Sequence, residues 1–173
     1  GKDGKYSGTH KLFPSFIKSV LGNQLVRLIS KHNFISPKEE IMKPTKVQVV
    51  TGAFMFFERN VFSEINGFDK IFFLYCEEED ISKRVWDSGR EVYFLPQPEI
   101  IHEHGGSCKP NDKNLRNEYY ISYKKLIFKH YNFFYSLLMM FMVYLKILKN
   151  LFSGKSDLEL LLLAIKGFPE KSS

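Results

Sequence analysis

The stretch of sequence that decides the fold covers residues 49–107 and reads VVTGAFMFFERNVFSEINGFDKIFFLYCEEEDISKRVWDSGREVYFLPQPEIIHEHGGS. Short apolar and aromatic segments alternate with glycine turns, a pattern typical of short strands and helices. The stretch also holds the dense carboxylate cluster EEED at residues 77–80 and ends in His-Gly-Gly-Ser. We therefore expect an α/β arrangement here, and we expect any chemistry of the chain to lie within it.

The patterning predicts five elements within this stretch and just before it. Residues 47–57 are rich in β-branched and aromatic side chains and predict a largely buried strand, in which Gly52 and Ala53 allow a close approach to the backbone. A short helix is expected at residues 60–65, ended by Asn66-Gly67, and a longer one at residues 77–88, ended by Gly89. Two further strands are expected at residues 91–95 and 99–104.

The acidic helix has one carboxylate that points inward in a helical projection. Ile81 and Val85 define its buried face, and at about 100° per residue Glu78 falls within about 60° of both, whereas Asp80 points roughly the opposite way. A carboxylate on a core-facing stripe is costly unless it lines a cavity or has a partner. The alternative is that the four acids only stabilise the helix dipole, and this alternative is the better one for Glu79.

Two histidines end the stretch. His102 and His104 are two residues apart, so on a strand their side chains share a face. Such a pair is more often structural than metal-binding, but it stands beside the Gly105-Gly106-Ser107 turn, whose backbone N–H groups suit an anion. The pattern makes this segment a candidate metal or phosphate site.

The flanks of the chain predict helices. Residues 15–30 carry apolar side chains at three-, four- and seven-residue intervals, and residues 115–151 predict one long helix. Residues 131–145 contain no charge, and basic residues and tyrosines precede them, which suits a helix lying at a cytoplasmic membrane interface. A buried core helix or a dimer contact is the alternative. Ser156-Asp157 is expected to cap a last helix over residues 158–165.

Composition restricts the class of protein. The net charge is +6, and residues 109–173 contain 11 Lys and Arg against 5 Asp and Glu, so the basic excess lies at the C-terminal end, where it suits an anionic membrane surface. The two cysteines, Cys76 and Cys108, are too few for a disulfide framework and favour a reducing compartment. Nucleic-acid binding is disfavoured, because the basic residues flank an apolar segment rather than a polar face.

Several spaced motifs resemble one enzyme family. The segments TGAFMFFERNVFSEINGFDKIFFLYCEEEDISKR, EVYFLPQPEIIHEHGGS and YKKLIFKHYN occur in the order found in the C-terminal half of bacterial family 2 glycosyltransferases of the rhamnosyltransferase-like kind. The resemblance covers roughly residues 45–135. It implies a GT-A nucleotide-diphospho-sugar transferase fold, with a mixed sheet and flanking helices, and an inverting single displacement.

The same resemblance implies roles for particular residues. Glu78 matches the family's general base, where the family has Asp, and Glu77 and Asp80 match the neighbouring acids and remain alternates. A divalent cation, Mg²⁺ or Mn²⁺, would bind with the nucleotide-diphospho-sugar donor, and His102 and His104 would contact the metal or the diphosphate. The remaining substrate contacts are expected from Gly52, Ala53, Phe72, Phe73, Tyr75, Gly105, Gly106 and Ser107.

One departure from the family pattern is large. The sequence contains no Asp-x-Asp and no glycine-rich nucleotide loop, so the nucleotide-binding half of the fold is expected to be absent and these residues alone are expected to be inactive. We expect three parts: an acceptor and catalytic-base half (1–110), a basic, aromatic and apolar helical segment (111–151), and a short helix with a tail (152–173). The parent enzyme would act peripherally at the cytoplasmic face of the bacterial inner membrane, in cell-surface glycan synthesis. A non-catalytic membrane- or partner-binding module derived from such an enzyme is the alternative.

Overall fold

The structure is a computed structural model that describes residues 10–17, 19, 41–98, 100, 112–153 and 158–168. Within these residues it is a helix-rich α/β structure with nine elements in chain order. They are β1 (His10–Lys11), β2 (Thr45–Lys46), β3 (Val49–Val50), α1 (Arg59–Glu64), α2 (Glu77–Asp87), β4 (Tyr93–Phe94), α3 (Lys113–His130), α4 (Phe133–Phe152) and α5 (Leu158–Ile165).

The described strands form two small antiparallel sheets, and the mixed sheet that the family pattern implies stays a prediction. β1 pairs with β3, with Lys11 opposite Val49, and β2 pairs with β4, with Lys46 opposite Tyr93. Among the described residues no strand exceeds two residues. The mixed α/β class is thus confirmed, whereas the GT-A topology stays a prediction.

The strand predicted over residues 47–57 is mostly wrong. Val47 and Val49 are buried, but regular pairing stops at Val50, and Phe54 and Phe56 are 51% and 90% exposed. Strand propensity depends on packing against neighbouring strands. No described strand pairs with residues 51–57. The apolar character of these residues was therefore a poor guide to their burial.

Helices α1 and α2 confirm their predictions and pack on each other. Asn66 and Gly67 adopt left-handed φ values of 59° and 62°, and the Gly67 N–H donates to the Phe62 carbonyl at 2.9 Å, so α1 ends where the Asn-Gly pair predicts. Gly89, with φ 77°, follows the end of α2. The front core lies between the two helices and consists of Val61, Ile65, Ile81 and Val85.

The single helix predicted over residues 115–151 is wrong, because the chain breaks at Tyr131 and Asn132. Tyr131 is extended, with φ −125° and ψ 156°, and the Asn132 side chain accepts the Tyr135 N–H at 2.9 Å, which starts α4 as a new helix. Ser136 Oγ secures the break by donating to the Ile127 carbonyl at 3.1 Å. Apolar periodicity continues through the break, so only the capping asparagine signals it.

Helices α3, α4 and α5 form a rear core. Its buried members are Ile121, Ile147, Leu160, Leu161 and Phe168. Among the described residues, α4 is the one helix long and apolar enough to cross a membrane, judged by length and composition alone. Only 17% of the residues in its most apolar 18-residue stretch are buried in the protein. Since α4 packs on one side and is open on the other, it is neither a fully buried core helix nor a free one.

The remaining predictions are tested only in part. α5 confirms the predicted last helix, and β4 covers two residues of the strand predicted over residues 91–95. Phe16 and Ile17 are helical, but most of the helix predicted over residues 15–30 lies outside the described residues. The capping Ser156-Asp157 pair and most of the strand predicted over residues 99–104 also lie outside them.

Candidate active site

The acidic cluster stands on a strained turn at the start of α2. Tyr75 and Cys76 both adopt left-handed backbone conformations, with φ 66° and 64°. A non-glycine residue there costs on the order of 1 kcal/mol, and burial of Cys76 against Phe72 and Leu126 holds the turn in place. Two consecutive strained residues directly before the carboxylates are typical of a functional site rather than of a plain helix start.

Glu78 leans inward, as the helical projection predicts. Its residue exposure is 8%, and its Oε1 accepts from Lys11 Nζ at 2.5 Å. Its Oε2 lies under the glycine turn, since a Cβ atom built on Gly52 would be 3.7 Å from that oxygen. Gly52 and the neighbouring Ala53 are exposed, so the backbone over this carboxylate is accessible from solvent.

Lys11 is the partner of the acidic cluster, and sequence reasoning missed it. Pairing of β1 with β3 brings its amino group to Glu78 and, at 3.1 Å, to Glu79 Oε1. Burial opposes the charge of Lys11, but the two carboxylates outweigh burial and raise the lysine's pKa. Burial also raises the pKa of Glu77 and of Glu79, and the neighbouring carboxylates add to that rise. One lysine therefore offsets only part of the negative charge of the cluster.

Asp80 is buried, so its predicted outward orientation is wrong. The residue is 0% exposed, and its oxygens contact Arg84 at 2.8 Å, Lys129 at 2.6 Å and His130 at 2.7 Å. Burial favours the neutral acid, but these hydrogen bonds outweigh it and lower the pKa of Asp80 to about 2. The helical projection failed because the end of α3 covers the face of α2 that it assigned to solvent.

The three aromatic residues predicted to contact substrate differ in their exposure and in the residues they pack against. Phe72 is 7% exposed and packs against Cys76, which makes it a core residue and corrects its predicted role. Phe73 is 84% exposed. Tyr75 makes an edge contact with Tyr119 of α3, with ring centroids 5.9 Å apart.

Tyr119 extends this aromatic group, and the sequence analysis gave it no role in the site. It stacks on Tyr123 with ring centroids 6.1 Å apart and remains 43% exposed. Partial burial raises its pKa to about 12, and the nearby Glu79 carboxylate adds to that rise. An accessible ring thus lies in the electrostatic range of the acidic cluster. In the sequence, Tyr119 belongs to the tyrosine-rich segment at the start of α3, which we interpreted as leading into a helix at a membrane interface.

A basic and aromatic cleft of about 620 Å³ lies next to Lys11. Its lining includes His10, Lys11, Lys46, Lys83 and Trp86. Lys46 Nζ stands 4.6 Å from the centroid of the Trp86 ring. Residues from β1, β2 and α2 build the cleft together, so no single segment of the sequence predicts it.

The described residues do not provide a metal site. No group of three His, Cys, Asp or Glu side chains suited to a metal ion occurs in the part of the chain that the structure describes. Arg84, Lys129 and His130 already contact the Asp80 carboxylate, and Lys11 contacts Glu78 and Glu79. The predicted metal and diphosphate contacts, His102, His104, Gly105, Gly106 and Ser107, lie outside the described residues.

The site thus combines a recessed carboxylate under an open glycine turn with aromatic rings on the same and a neighbouring helix start. Comparison with known proteins finds rhamnosyltransferases that are similar to part of the chain. The chain is 36% identical over 66 residues to rhamnosyltransferase WbbL of Escherichia coli strain K12, covering 38% of this chain and 25% of that protein. It is also 27% identical over 67 residues to the N-acetylglucosaminyl-diphospho-decaprenol L-rhamnosyltransferase of Mycobacterium tuberculosis, in strains CDC 1551 / Oshkosh and ATCC 25618 / H37Rv.

These similarities make the chain rhamnosyltransferase-like. The two mycobacterial matches cover 38% of this chain and 22% of those proteins, so the chain spans about a quarter or less of the curated relatives it matches. No family model matches the chain. No solved structure matches it either.

Proposed function

We propose that this chain forms the acceptor side and supplies the general base of an inverting GT-A glycosyltransferase. The enzyme would transfer a sugar, rhamnose by analogy with its relatives, from a nucleotide-diphospho-sugar to a lipid-linked or polysaccharide acceptor. The observation that carries this proposal is Glu78, a recessed carboxylate with one oxygen on Lys11 and the other under the exposed turn at Gly52. The similarity to rhamnosyltransferases supports it.

Glu78 has the chemistry that an inverting transfer needs. The carboxylate would take the proton of the acceptor hydroxyl as that oxygen attacks the anomeric carbon and the nucleotide diphosphate leaves. Lys11 would fix the rotamer of Glu78 through Oε1 and leave Oε2 for the acceptor. Glu77, which is half-buried on the same turn, remains the alternate base.

Asp80 would act as a positioning residue rather than as the alternate base that the family pattern allows. It is inaccessible to substrate and is held by Arg84 of α2 and by Lys129 and His130 of α3. Its contacts with Lys129 and His130 join the start of α2 to the end of α3. The acidic turn and the tyrosine side of α3 would thereby keep a fixed relative position.

Tyr75 and Tyr119 would form the acceptor platform, together with the exposed Phe73. Flat rings bind the apolar faces of sugars, and two tyrosines in edge contact give a rigid surface at low entropic cost. The platform lies beside the carboxylate cluster, because Tyr75 directly precedes the strained Cys76 turn. Residues from both sides of this aromatic contact would therefore select the acceptor.

The donor side of the reaction stays a prediction from the family pattern. A nucleotide-diphospho-sugar with Mg²⁺ or Mn²⁺ would be held by parts of the enzyme beyond the described residues, including His102 and His104. The cation would stabilise the leaving diphosphate. The chemistry assigned above to Glu78, Lys11 and the tyrosines does not depend on it.

We place the enzyme peripherally at the cytoplasmic face of the bacterial inner membrane, where it would serve cell-surface glycan synthesis. The apolar helix α4 supports a membrane location. The same helix is the observation that favours the rival function, a non-catalytic membrane- or partner-binding module derived from such an enzyme. The two functions differ in whether Glu78 is needed for anything beyond folding.

The test is Glu78→Gln in the complete gene product, with Glu79→Gln as the matched control. Loss of a general base lowers rates by about 10²- to 10⁴-fold, so we expect sugar transfer to fall by that factor while donor binding, measured by calorimetry, is kept. Glu79→Gln should retain most of the transfer. Undiminished transfer by Glu78→Gln would remove the base assignment, and a complete gene product with no transfer from any sugar nucleotide would favour the binding module.

A further inference from the structure

We propose that the exposed apolar faces of α4 and α5 form one surface that inserts in the plane of an anionic lipid bilayer. We call it the α4–α5 surface and define it by Phe134, Phe141, Leu145, Leu158, Leu162 and Ile165. This inference deepens the membrane location proposed above by assigning the side chains that enter the lipid and the way in which they enter. It is independent of the chemistry at Glu78.

The α4 part of the surface is a continuous stripe of large apolar side chains. Phe134 is 82% exposed, Phe141 55% and Leu145 39%, and Leu138 between them is 40% exposed. Their spacing of four, three and four residues places them on one face of the helix. Soluble monomers rarely expose contiguous apolar patches of this kind unless they bind a partner or a membrane.

Helix α5 carries a second stripe of the same character. Leu158 is 59% exposed, Leu162 48% and Ile165 60%, again at helical spacing. Leu160, opposite this stripe, and Leu161, next to it, are buried in the rear core with Ile147 of α4. The two helices thus pack through one set of side chains and leave another set of similar size in water.

Lysines beside these stripes identify the occupant. Lys146, Lys149 and Lys166 are exposed, and none forms an ion pair with another described residue. By contrast, Lys124 bonds to the Phe168 carbonyl, Lys125 to the Ile71 carbonyl, and Lys129 to carboxylates. At about 100° per residue, Lys149 lies roughly 80° and Lys146 roughly 140° from Phe141. Lys149 and Lys166 thus border the stripes, whereas Lys146 lies toward the opposite side of α4. Apolar stripes bordered by cations match acyl chains and anionic headgroups.

Two observations favour in-plane insertion over a helix that crosses the bilayer. The face of α4 opposite the stripe is packed into the protein, with Ser136 and Ile147 both at 0% exposure. The start of α4 is also tied to the N-terminal segment, because the Phe16 N–H donates to the Tyr135 hydroxyl at 2.8 Å. If α4 crossed the bilayer, its packing against the protein and the hydrogen bond between Phe16 and Tyr135 would both be lost. A second copy is the less suitable occupant, because a symmetric contact would bring the edge lysines of both copies together.

The test is flotation of the full chain with vesicles of phosphatidylcholine alone and of phosphatidylcholine with 30% phosphatidylglycerol, a fraction that we choose as roughly that of an anionic bacterial membrane. We expect binding that depends on the anionic lipid. Replacing Lys149 and Lys166 with Gln should weaken it by about fivefold per charge, or about twenty-five-fold in all. Lys146→Gln, on the side of α4 turned away from the stripe, should weaken it less. Phe134→Ser with Phe141→Ser should abolish it, whereas Phe56→Ser, at a site 90% exposed but outside the surface, should not. Circular dichroism of each variant verifies that it is folded.

The mode of insertion has its own measurement. In a Cys108→Ser background, a fluorophore on Phe134→Cys or on Phe152→Cys should be quenched in both cases by a reagent added outside sealed vesicles. Protection of one label only would indicate a spanning helix and overturn in-plane insertion. No binding to anionic vesicles by folded protein would overturn the proposal, as would a dimer in light scattering that the two Phe→Ser changes dissociate. Glu78→Gln should bind vesicles normally, so a failure of the transferase proposal remains separable from a failure of this one.

Discussion

At the residue scale, Asp80 shows how hydrogen bonds from Arg84, Lys129 and His130 can hold one buried carboxylate. Its folded-state pKa of about 2 lies below the ordinary value of 3.8, so ionised Asp80 stabilises the folded state. That stabilisation is fully present above pH about 4 and is lost as the pH falls toward 2. The shift corresponds to roughly 2 kcal/mol of the free energy of unfolding.

We predict that Asp80→Asn destabilises the protein by about 2–3 kcal/mol at pH 7, because it removes the buried carboxylate that accepts from Arg84, Lys129 and His130. Urea unfolding at pH 7, 4 and 2.5 measures this, and the difference from the unmodified protein should shrink toward the lowest pH. Asp87→Asn, at a carboxylate 53% exposed, is the control and should change stability by less than about 0.5 kcal/mol. A difference that does not vary with pH would contradict the role assigned to ionised Asp80.

Tyr119 gives the second prediction at this scale. If its ring contacts the acceptor, Tyr119→Ala should weaken acceptor binding by about tenfold, and Tyr119→Phe, which keeps the ring, should restore most of it. The measurement is the KM for acceptor in the complete gene product, with kcat and the KM for donor recorded beside it. Equal effects of Ala and Phe would show that the ring face does not bind the acceptor.

At the scale of elements, the glycine and asparagine residues predicted the helix ends well. Left-handed residues at Asn66-Gly67 and Gly89 stop α1 and α2 through local backbone geometry, which depends on a few neighbouring residues. The break between α3 and α4 was missed, although Asn132 caps α4 in a similarly local way. An asparagine within an apolar run is compatible with either a continuous helix or a new start, and the packing of Ser136 against α3 decides between them.

We predict that Gly67→Ala costs more stability than Gly89→Ala. Both glycines have positive φ, 62° and 77°, so each alanine should cost about 1 kcal/mol from backbone strain. At Gly67 the new Cβ would also lie 3.0 Å from the Phe62 ring, whereas nothing lies within 4 Å at Gly89. Thermal unfolding of the two variants measures the difference. Equal losses would mean that the Phe62 ring moves aside without cost.

At the scale of the whole molecule, the described residues form two hydrophobic cores that are joined through a third small cluster. The front core lies between α1 and α2, and the rear core lies among α3, α4 and α5. Between them, Leu126 of α3 packs against Phe72 and Cys76, next to the contacts that Asp80 makes with α3. The candidate active site lies at this junction, so its geometry depends on both cores.

We predict that Leu126→Ala and Ile147→Ala, at sites 2% and 0% exposed, each cost about 2–5 kcal/mol but act over different regions. Leu126→Ala should speed hydrogen exchange in both α2 and α4, because it loosens the junction. Ile147→Ala should speed exchange mainly in α4 and α5. The same exchange pattern for both variants would show that the two cores unfold as one unit.

The sequence by itself determined the class of the chain, the short helices α1, α2 and α5, and the inward orientation of Glu78, because each depends on spacing along the chain or on local backbone geometry. The tertiary structure decided which charges meet. Lys11 lies 67 residues before Glu78, and His130 lies 50 residues after Asp80. A helical projection shows the faces of one helix but not what covers them, which is why the burial of Asp80 and the contact between Tyr75 and Tyr119 were not predicted. Contacts between distant segments depend on the packing of the whole chain, and no local pattern contains them.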